Sequence, residues 1–349
     1  MLAAPVDDCP LRDAPYSVDS PMIDILLKPE AKAVLDGEAP GKFAKAPPGF
    51  LGTSPPTFAA ILTVRQAQGF LAPGLDLSAI DAKLRAIPVI PADRVKRCAR
   101  YDNDVPNWTM PAGRPRVLVF EKINGFKDVP SVEAAHAAFQ AMARRNGWAL
   151  IVTDKGGAFN PATLKRFDVV IWNNVSGDVL TLAQRRTFQR WIEGGGGYVA
   201  VHGSAGDPVY FWDWYADRLL GARFAGHPMA PQFQDAKIVT NKAHPLAGKL
   251  PSNWIMNDEW YSFKTNPRSA GADVLLTLDE GSYKLAGPPG VDLSMKGDHP
   301  IAWTNCIGRG RMFYSAIGHR PETYAQPNYV ALLEAAVPWA ADRGACKHQ

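Results

Sequence analysis

From Arg114-Pro115 onward the chain alternates short apolar runs with helical periods, and that alternation leaves it few folds to choose from. Residues 117–120, 148–152 and 168–172 are apolar runs of strand length, and 198–201 is a fourth. Between them, 131–146 sets Val132, Ala135, Phe139 and Met142 on one helical face, and 182–192 has the pattern of a second helix. Near-continuous apolar strands separated by helices are those of a parallel sheet covered on both faces. Segments 236–239, 273–278, 301–304 and 311–317 read as further strands, and 327–341 as a closing helix. The expected fold class is therefore α/β, doubly wound, with a mainly parallel sheet over 113–343.

Residues 1–112 have another character, with short helices between proline-rich connections. Ser20-Pro21 suits a helix start, followed by Ile23, Leu26, Leu27 and Val34. Residues 57–68 carry Phe58, Ile61, Leu62 and Val64, Ser78 opens a third helix with Ile80 and Leu84, and 93–100 is a fourth. Helices this short rarely stand alone in water. The segment is expected to pack on the α/β domain as an N-terminal helical extension, and nothing in it has a catalytic pattern.

With 38 basic and 34 acidic residues the net charge is +4, and the basic residues are scattered. Arg144-Arg145 and Arg185-Arg186 fit solvated helix faces, which argues against a nucleic-acid partner. No apolar run approaches the roughly 20 residues that span a bilayer, so no membrane partner is expected. Leu2-Ala3-Ala4-Pro5 would suit a mature chain cut at a small-residue site, giving a periplasmic or secreted protein as the expectation and a cytoplasmic one as the alternative. The four cysteines fit pairs Cys9–Cys98 and Cys306–Cys346. Free buried thiols fit equally well, and none has metal-type spacing.

The histidines carry the chemistry. Gly194 to Gly197 lead into the strand 198–201, which delivers His202, and Gly203-Ser204-Ala205-Gly206 follow. A small-residue turn leaves space at the carboxyl end of a strand, where open α/β sheets bind ligands. A buried, hydrogen-bonded histidine is the competing reading. His319 repeats the arrangement after Ile317-Gly318, and His227 lies between Gly226 and Pro228. His136 reads as structural or exposed in its helix, and His244 and His299, each before proline, read as loop residues.

Asp258-Glu259 stands among aromatics in Asn257 to Phe263. An acidic pair in apolar sequence is costly unless it is paired, ligates metal or does acid/base work. A salt bridge to Lys264 or Arg268 is the plain alternative. Histidines and a carboxylate in one cleft make either a site for a divalent metal (Zn, Mn or similar) or a metal-free acid/base set. The metal candidates are His202, His227, Glu259 and His319. Trp212 and Tyr215 offer flat faces for a sugar if they line the pocket, with core packing the stronger reading for at least one ring.

Together these motifs resemble the ThuA-like (trehalose-utilisation) family, whose fold is similar to that of class I glutamine amidotransferases. The resemblance rests on Asn124-Gly125-Phe126, the GGGGYVAVHG turn, Trp212 to Tyr215 with Leu220-Gly221-Ala222, Phe224 and His227-Pro228, the DEWYSF segment, and GRGRMFYSAIGH ending at His319. It spans roughly 114–341 and implies a flavodoxin-like domain. It departs from the family at Lys127-Asp128, where arginine-histidine often stands. The amidotransferase elbow cysteine is missing from Val201-His202-Gly203-Ser204, which argues against glutamine hydrolysis through a thiolate.

The family's link to disaccharide use implies a small-molecule sugar substrate, oxidised to a 3-keto-glycoside or keto-sugar, that is isomerised, hydrolysed or cleaved by elimination. On that scheme His202 and Glu259 are the acid/base candidates, with Trp212, Tyr215, Asp258, Tyr261 and Phe126 as substrate contacts. His227 and His319 would be metal co-ligands or donors to the carbonyl oxygen. A non-catalytic carbohydrate-binding protein is the alternative, and a hydrolase with Ser204 as nucleophile is a third reading.

Overall fold

A computed structural model describes residues 6–69, 71–287 and 290–346. The small-residue opening at 2–5 and His348 lie outside the described residues. The N-terminal extension holds α1 (Met22–Leu26), α2 (Pro29–Glu38), α3 (Val64–Gln68), α4 (Leu77–Arg85) and α5 (Pro91–Cys98). The expected helix over 57–68 is broken in two. Thr57 caps a short 3-10 turn, Phe58–Ala60, by accepting from the Ala59 N–H, and Thr63 caps α3 by accepting from Gln66. Two β-branched cap residues six apart compete with a continuous helix. The helix expected at Ser20-Pro21 starts one residue later, because the Ser20 hydroxyl accepts from the Ser17 N–H and Pro21 is the cap.

The extension has a hydrophobic cluster of its own, including Tyr16, Met22, Ile25, Leu35, Ala59, Val64, Ile80 and Leu84. It is also tied to the α/β domain by buried polar contacts. The Asn124 side chain donates to the carbonyls of Arg100 and Asp178, and Asp102 accepts from the N–H groups of Gly156 and Gly157. Both cysteine pairs are disulfides, Cys9–Cys98 and Cys306–Cys346. The free-thiol alternative is set aside.

The α/β domain runs β1 (Arg116–Phe120), α6 (Val129–Asn146), β2 (Ala149–Thr153), α7 (Pro161–Leu164), β3 (Val169–Asn173), α8 (Leu182–Glu193) and β4 (Gly197–Val201). It continues with β5 (Phe224–Gly226), β6 (Phe233–Thr240), β7 (Asn253–Glu259), β8 (Ser262–Phe263), β9 (Asp273–Leu278), β10 (His299–Ile307), β11 (Gly310–Ser315) and α9 (Pro327–Ala341). Nine strands form one sheet in the order β2-β1-β3-β4-β11-β10-β9-β6-β7. The pairs from β2 through β11 are parallel, and those from β11 through β7 are antiparallel. Every residue of β3 and β4 is buried, which is why they read as unbroken apolar runs.

Two features set up the site. Parallel pairing of β4 with β11 runs in register to Val201↔Ser315, so the residues just beyond, His202 and Ala316, leave the sheet side by side. Within the antiparallel half, β7 points the same way as β4, so its last residue, Glu259, emerges at the same edge. The acidic pair is therefore at a strand end rather than in the loop that sequence alone allowed. His299, read as a loop residue, opens β10 and is fully buried, with Nε2 donating to the Tyr261 carbonyl and Nδ1 facing Glu280. Pro300, after it, pairs with Thr277 next to a register shift, which is how a proline is accommodated in the strand.

Candidate active site

Beyond β4 the chain turns at once. His202 takes φ +37°, a left-handed conformation rare for a residue with a side chain. Such strain persists where surrounding contacts over-determine it. The His202 Nδ1 lies 2.7 Å from the Ala316 carbonyl, and its own carbonyl accepts from the Tyr314 hydroxyl at 2.9 Å. Because a carbonyl only accepts, Nδ1 carries the proton, and the Nε2 lone pair of neutral His202 points inward. That lone pair accepts from the Tyr261 hydroxyl at 2.9 Å and lies 3.0 Å from the His319 Nδ1. Burial and the neighbouring Glu259 push the Tyr261 phenol well above its ordinary value, so it remains a donor.

His319 comes off β11 through Gly318, whose φ of +134° and lack of room for a Cβ beside Tyr324 and His202 require glycine. Its Nδ1 lies 3.0 Å from Glu259 Oε2. A carboxylate also only accepts, so the proton sits on Nδ1 and the outer nitrogen, Nε2, is left bare in the neutral ring. Burial alone would lower the His319 pKa, but the hydrogen bond and charge of Glu259 raise it. Burial alone would likewise raise the Glu259 carboxyl, but the closeness of His202, the hydrogen bond from His319 and the proximity of His227 hold it well below the usual range. The second oxygen, Oε1, accepts from Gln232 Nε2 at 2.5 Å and lies 3.2 Å from His227 Nδ1.

Behind this cluster, Asp258 is fully buried and accepts from the N–H groups of Glu259, Gly318, His319 and Arg320 and from the Thr323 hydroxyl. These bonds fasten the end of β7 to the turn after β11. Asp258 was expected to touch substrate. Its oxygens are instead spent on the fold, and it has no exposed surface.

Other expectations change in the same way. Tyr215 is buried, donates to the Ser204 carbonyl and pairs with Tyr198, while Trp212 stacks on Trp214 and Tyr215 beneath Arg185. Both rings serve the core beside α8 and present no face to the histidine cluster. The Ser204 hydroxyl donates to the Trp172 carbonyl and accepts from the Val175 N–H, which removes it as a nucleophile. His136 faces Glu121 at 3.0 Å, partly buried.

The cluster opens onto a depression lined by Asp128, Pro130, Phe233, Asn257, His319 and Arg320. His202 and Glu259 lie behind, their side chains 4% and 2% exposed, while His319 and His227 reach outward at 12% and 22%. Phe126 and Phe233 flank the His319 ring with centroids at 6.2 and 5.2 Å. Phe233 and Arg320 had no signal in the sequence, because a lone aromatic and a lone arginine at element ends look like any surface residue. Asp128, standing where the family often has histidine, caps α6 through Ser131 and lies 3.9 Å from His319 Nε2.

One donor atom each from His202, Glu259 and His319 lies within 4.8 Å of the others, close enough to hold a metal ion. His202 Nδ1 against a carbonyl is the outer-shell bond that orients a ligating imidazole. His227 falls outside this three-donor set, with its Nδ1 near the other oxygen of Glu259 and the Pro228 carbonyl.

A doubly wound sheet with a histidine–carboxylate cluster at its carboxyl edge defines an amidotransferase-like domain, in which Val201-His202-Gly203-Ser204 carries no cysteine. The chain belongs to the ThuA family, described as trehalose utilisation, whose model matches residues 116–340. A ThuA-like protein from Bacteroides uniformis ATCC 8492 shares 28% identity over 68% of this chain and 95% of its own, with a TM-score of 0.58. One from Parabacteroides merdae ATCC 43184 shares 17% over 66% and 91%, with a TM-score of 0.48. No curated protein matches the sequence. Among the described residues no helix is long and apolar enough to cross a membrane.

Proposed function

We propose that this protein is a carbohydrate-metabolism enzyme that removes a proton next to the ketone of an oxidised sugar, leading to isomerisation or elimination of a 3-keto-glycoside. The observation that carries the reading is the bond between His319 Nδ1 and Glu259 Oε2 at 3.0 Å. It leaves the outward Nε2 bare, backed by a carboxylate that stabilises the imidazolium once formed, as in other histidine–carboxylate pairs.

A carbonyl at C3 acidifies the C2–H bond. His319 takes that proton, and the C–H electron pair moves into the enolate. His227 donates a hydrogen bond to the enolate oxygen. The proton then returns at C3 while the 2-hydroxyl proton passes to O3, leaving a ketone at C2. Alternatively, the C2–C1 double bond forms as the C1 substituent leaves with its bonding pair and takes the proton from His319 as an alcohol. His202 and Tyr261 hold His319 from behind, so the catalytic role first given to His202 passes to His319, and Glu259 becomes its orienting partner. A divalent ion held by His202, Glu259 and His319 would take the place of the His319 Nδ1 proton and supply Lewis-acid polarisation instead of that hydrogen bond to Glu259. The two disulfides support an oxidising compartment, and so a periplasmic or secreted location.

The test is proton NMR of a 3-keto-glucoside in deuterated water. The enzyme should exchange the C2 proton, and His319→Gln should not, while still binding the sugar. Absence of exchange and turnover across 3-keto-glycosides in the unaltered protein would overturn the proposal.

A further inference from the structure

His299 has no exposed surface, and both of its ring nitrogens face oxygen. Nε2 lies 2.9 Å from the Tyr261 carbonyl, and Nδ1 lies 3.0 Å from Glu280 Oε1. Burial alone would raise the Glu280 carboxyl. The Met295 N–H, His299, the Ser294 hydroxyl and the Gly297 N–H together hold it below its ordinary value, so it is ionised. A carboxylate and a carbonyl both only accept, so both ring nitrogens donate and His299 is an imidazolium. The remaining titratable group against the ring is the Tyr283 hydroxyl, 3.3 Å from Nδ1. Burial and Glu280 hold that phenol far above its ordinary value, so it stays neutral. Lys296, in the same loop, pairs with Asp292 instead.

The two N–H groups hold different parts of the site. Tyr261, gripped by Nε2, donates its hydroxyl to His202 Nε2 at 2.9 Å. Glu280, gripped by Nδ1, gathers the Ser294 hydroxyl and the N–H groups of Met295 and Gly297. The loop so gathered meets the site twice more. The Leu293 carbonyl accepts from the Ser262 hydroxyl at 2.6 Å, one residue beyond Tyr261. The Ala286 carbonyl accepts the Met229 N–H at 3.0 Å, two residues beyond His227. A neutral His299 has one N–H and can serve only one side. Keeping Tyr261 would turn a lone pair on the Glu280 carboxylate, and keeping Glu280 would leave the buried Tyr261 carbonyl without its donor.

We propose that His299 is a positioning residue of the site, an imidazolium clip that holds Tyr261 against His202 and, through Glu280, fastens the loop that meets the turn after His227. It acts through Tyr261 and touches no substrate. The proposal rests on His202, Glu259 and His319 being the working cluster, but not on the reaction assigned to them.

Nitrogen-15 NMR of the histidine rings in the full chain tests this without turnover, because a bare ring nitrogen resonates far from a protonated one. Single variants assign each ring. At about pH 7.5, where a free imidazole is mostly neutral, both His299 nitrogens should appear protonated. Glu280→Gln keeps the shape and removes the charge, so His299 should then show a bare Nδ1 and a protonated Nε2. His299→Leu cannot donate to Tyr261, and the His202 Nε2 signal should shift toward that of a nitrogen without a donor. His299→Gln, which keeps a donor for the Tyr261 carbonyl, should restore that signal. Melting temperatures show which variants are folded, and if His299→Leu is not, the Glu280→Gln spectrum decides. A bare nitrogen on His299 in the unaltered protein, two protonated nitrogens in Glu280→Gln, or an unmoved His202 signal in folded His299→Leu would overturn the proposal. The expected spectra from a protein that exchanges no proton on keto-sugars would keep the clip and remove only the reaction.

Discussion

The carboxylate of Asp258 accepts the backbone N–H of Gly318 at 2.8 Å, joining an edge strand to a turn at the end of a strand four places away in the sheet. This bond and its four companions bring Glu259 to His319. Replacing Asp258 with asparagine keeps the size but turns one acceptor into a donor facing N–H groups. Leaving buried donors without partners costs on the order of 2–4 kcal/mol. Asp258→Asn should therefore lower the urea midpoint clearly and reduce activity by misplacing Glu259. An unchanged midpoint would show that the turn is held by other bonds.

His319 should behave in the opposite way. It is partly exposed and its side chain bears on the site more than on the core, so His319→Gln should unfold within a few degrees of the parent. Loss of a positioned base typically costs 10²- to 10⁴-fold in rate, and that is the expected loss of keto-sugar turnover. For His202, whose Nδ1 and Nε2 are both engaged inside the protein, alanine should cost stability as well as activity. A destabilised but fully active His202→Ala protein would place the chemistry elsewhere.

Strands β1, β3 and β4 were legible because burial on both faces writes itself as unbroken apolar sequence. His202 and His319 were legible because each follows such a strand beside glycine. The sequence could not show that β7 runs to the same edge, since strand order and direction in the antiparallel half depend on pairings far apart in the chain. Thus the sequence places Asp258 in the site as a substrate contact beside Glu259 as an acid/base candidate, whereas one serves the fold and the other faces the histidine. Trp212 and Tyr215 misled for a related reason: their ring area suits a sugar or a core equally, and only the neighbours Phe188, Trp172 and Arg185 decide.

The two disulfides should differ in consequence. Cys9–Cys98 closes a loop with a sequence separation of 89 and anchors a segment whose Asp8 accepts from Leu182 and Ala183 at the start of α8. Chain-entropy arguments give about 4.6 kcal/mol for a loop of this size. Cys98→Ser should lower the melting temperature markedly and expose 6–18 to proteolysis. Cys306→Ser opens a shorter loop, with a sequence separation of 40, worth about 0.7 kcal/mol less on the same argument, and should lower the melting temperature by less. Equal effects would contradict this ranking.

Zinc or manganese should raise the melting temperature of the purified protein through His202, Glu259 and His319, since a ligand of the folded state alone stabilises it by mass action. Glu259→Gln removes the only charged donor of the set and should abolish the shift. His227→Ala, outside the three-donor set, should retain most of it. An identical shift in the Glu259 variant would mean that the ion binds elsewhere.

Asp207 offers a pH test away from the histidines. Burial pushes its carboxyl up to about 7, against the hydrogen bonds it accepts from Ser176 Oγ and the Gly177 N–H. The folded protein therefore holds this proton more tightly than the unfolded chain, whose carboxyl titrates near the ordinary value of 3.8. Between those two values the folded state binds more protons, so stability falls as pH rises and levels off above about 7. From pH 5 to 8 the contribution is on the order of 3 kcal/mol at 1.36 kcal/mol per pH unit. Asp207→Asn resembles the protonated form, with one donor toward Ser176 and one acceptor for Gly177. It should match the parent near pH 5 and exceed it by that margin near pH 8 in urea unfolding. Parallel pH profiles for the two proteins would show that Asp207 is ionised throughout the range.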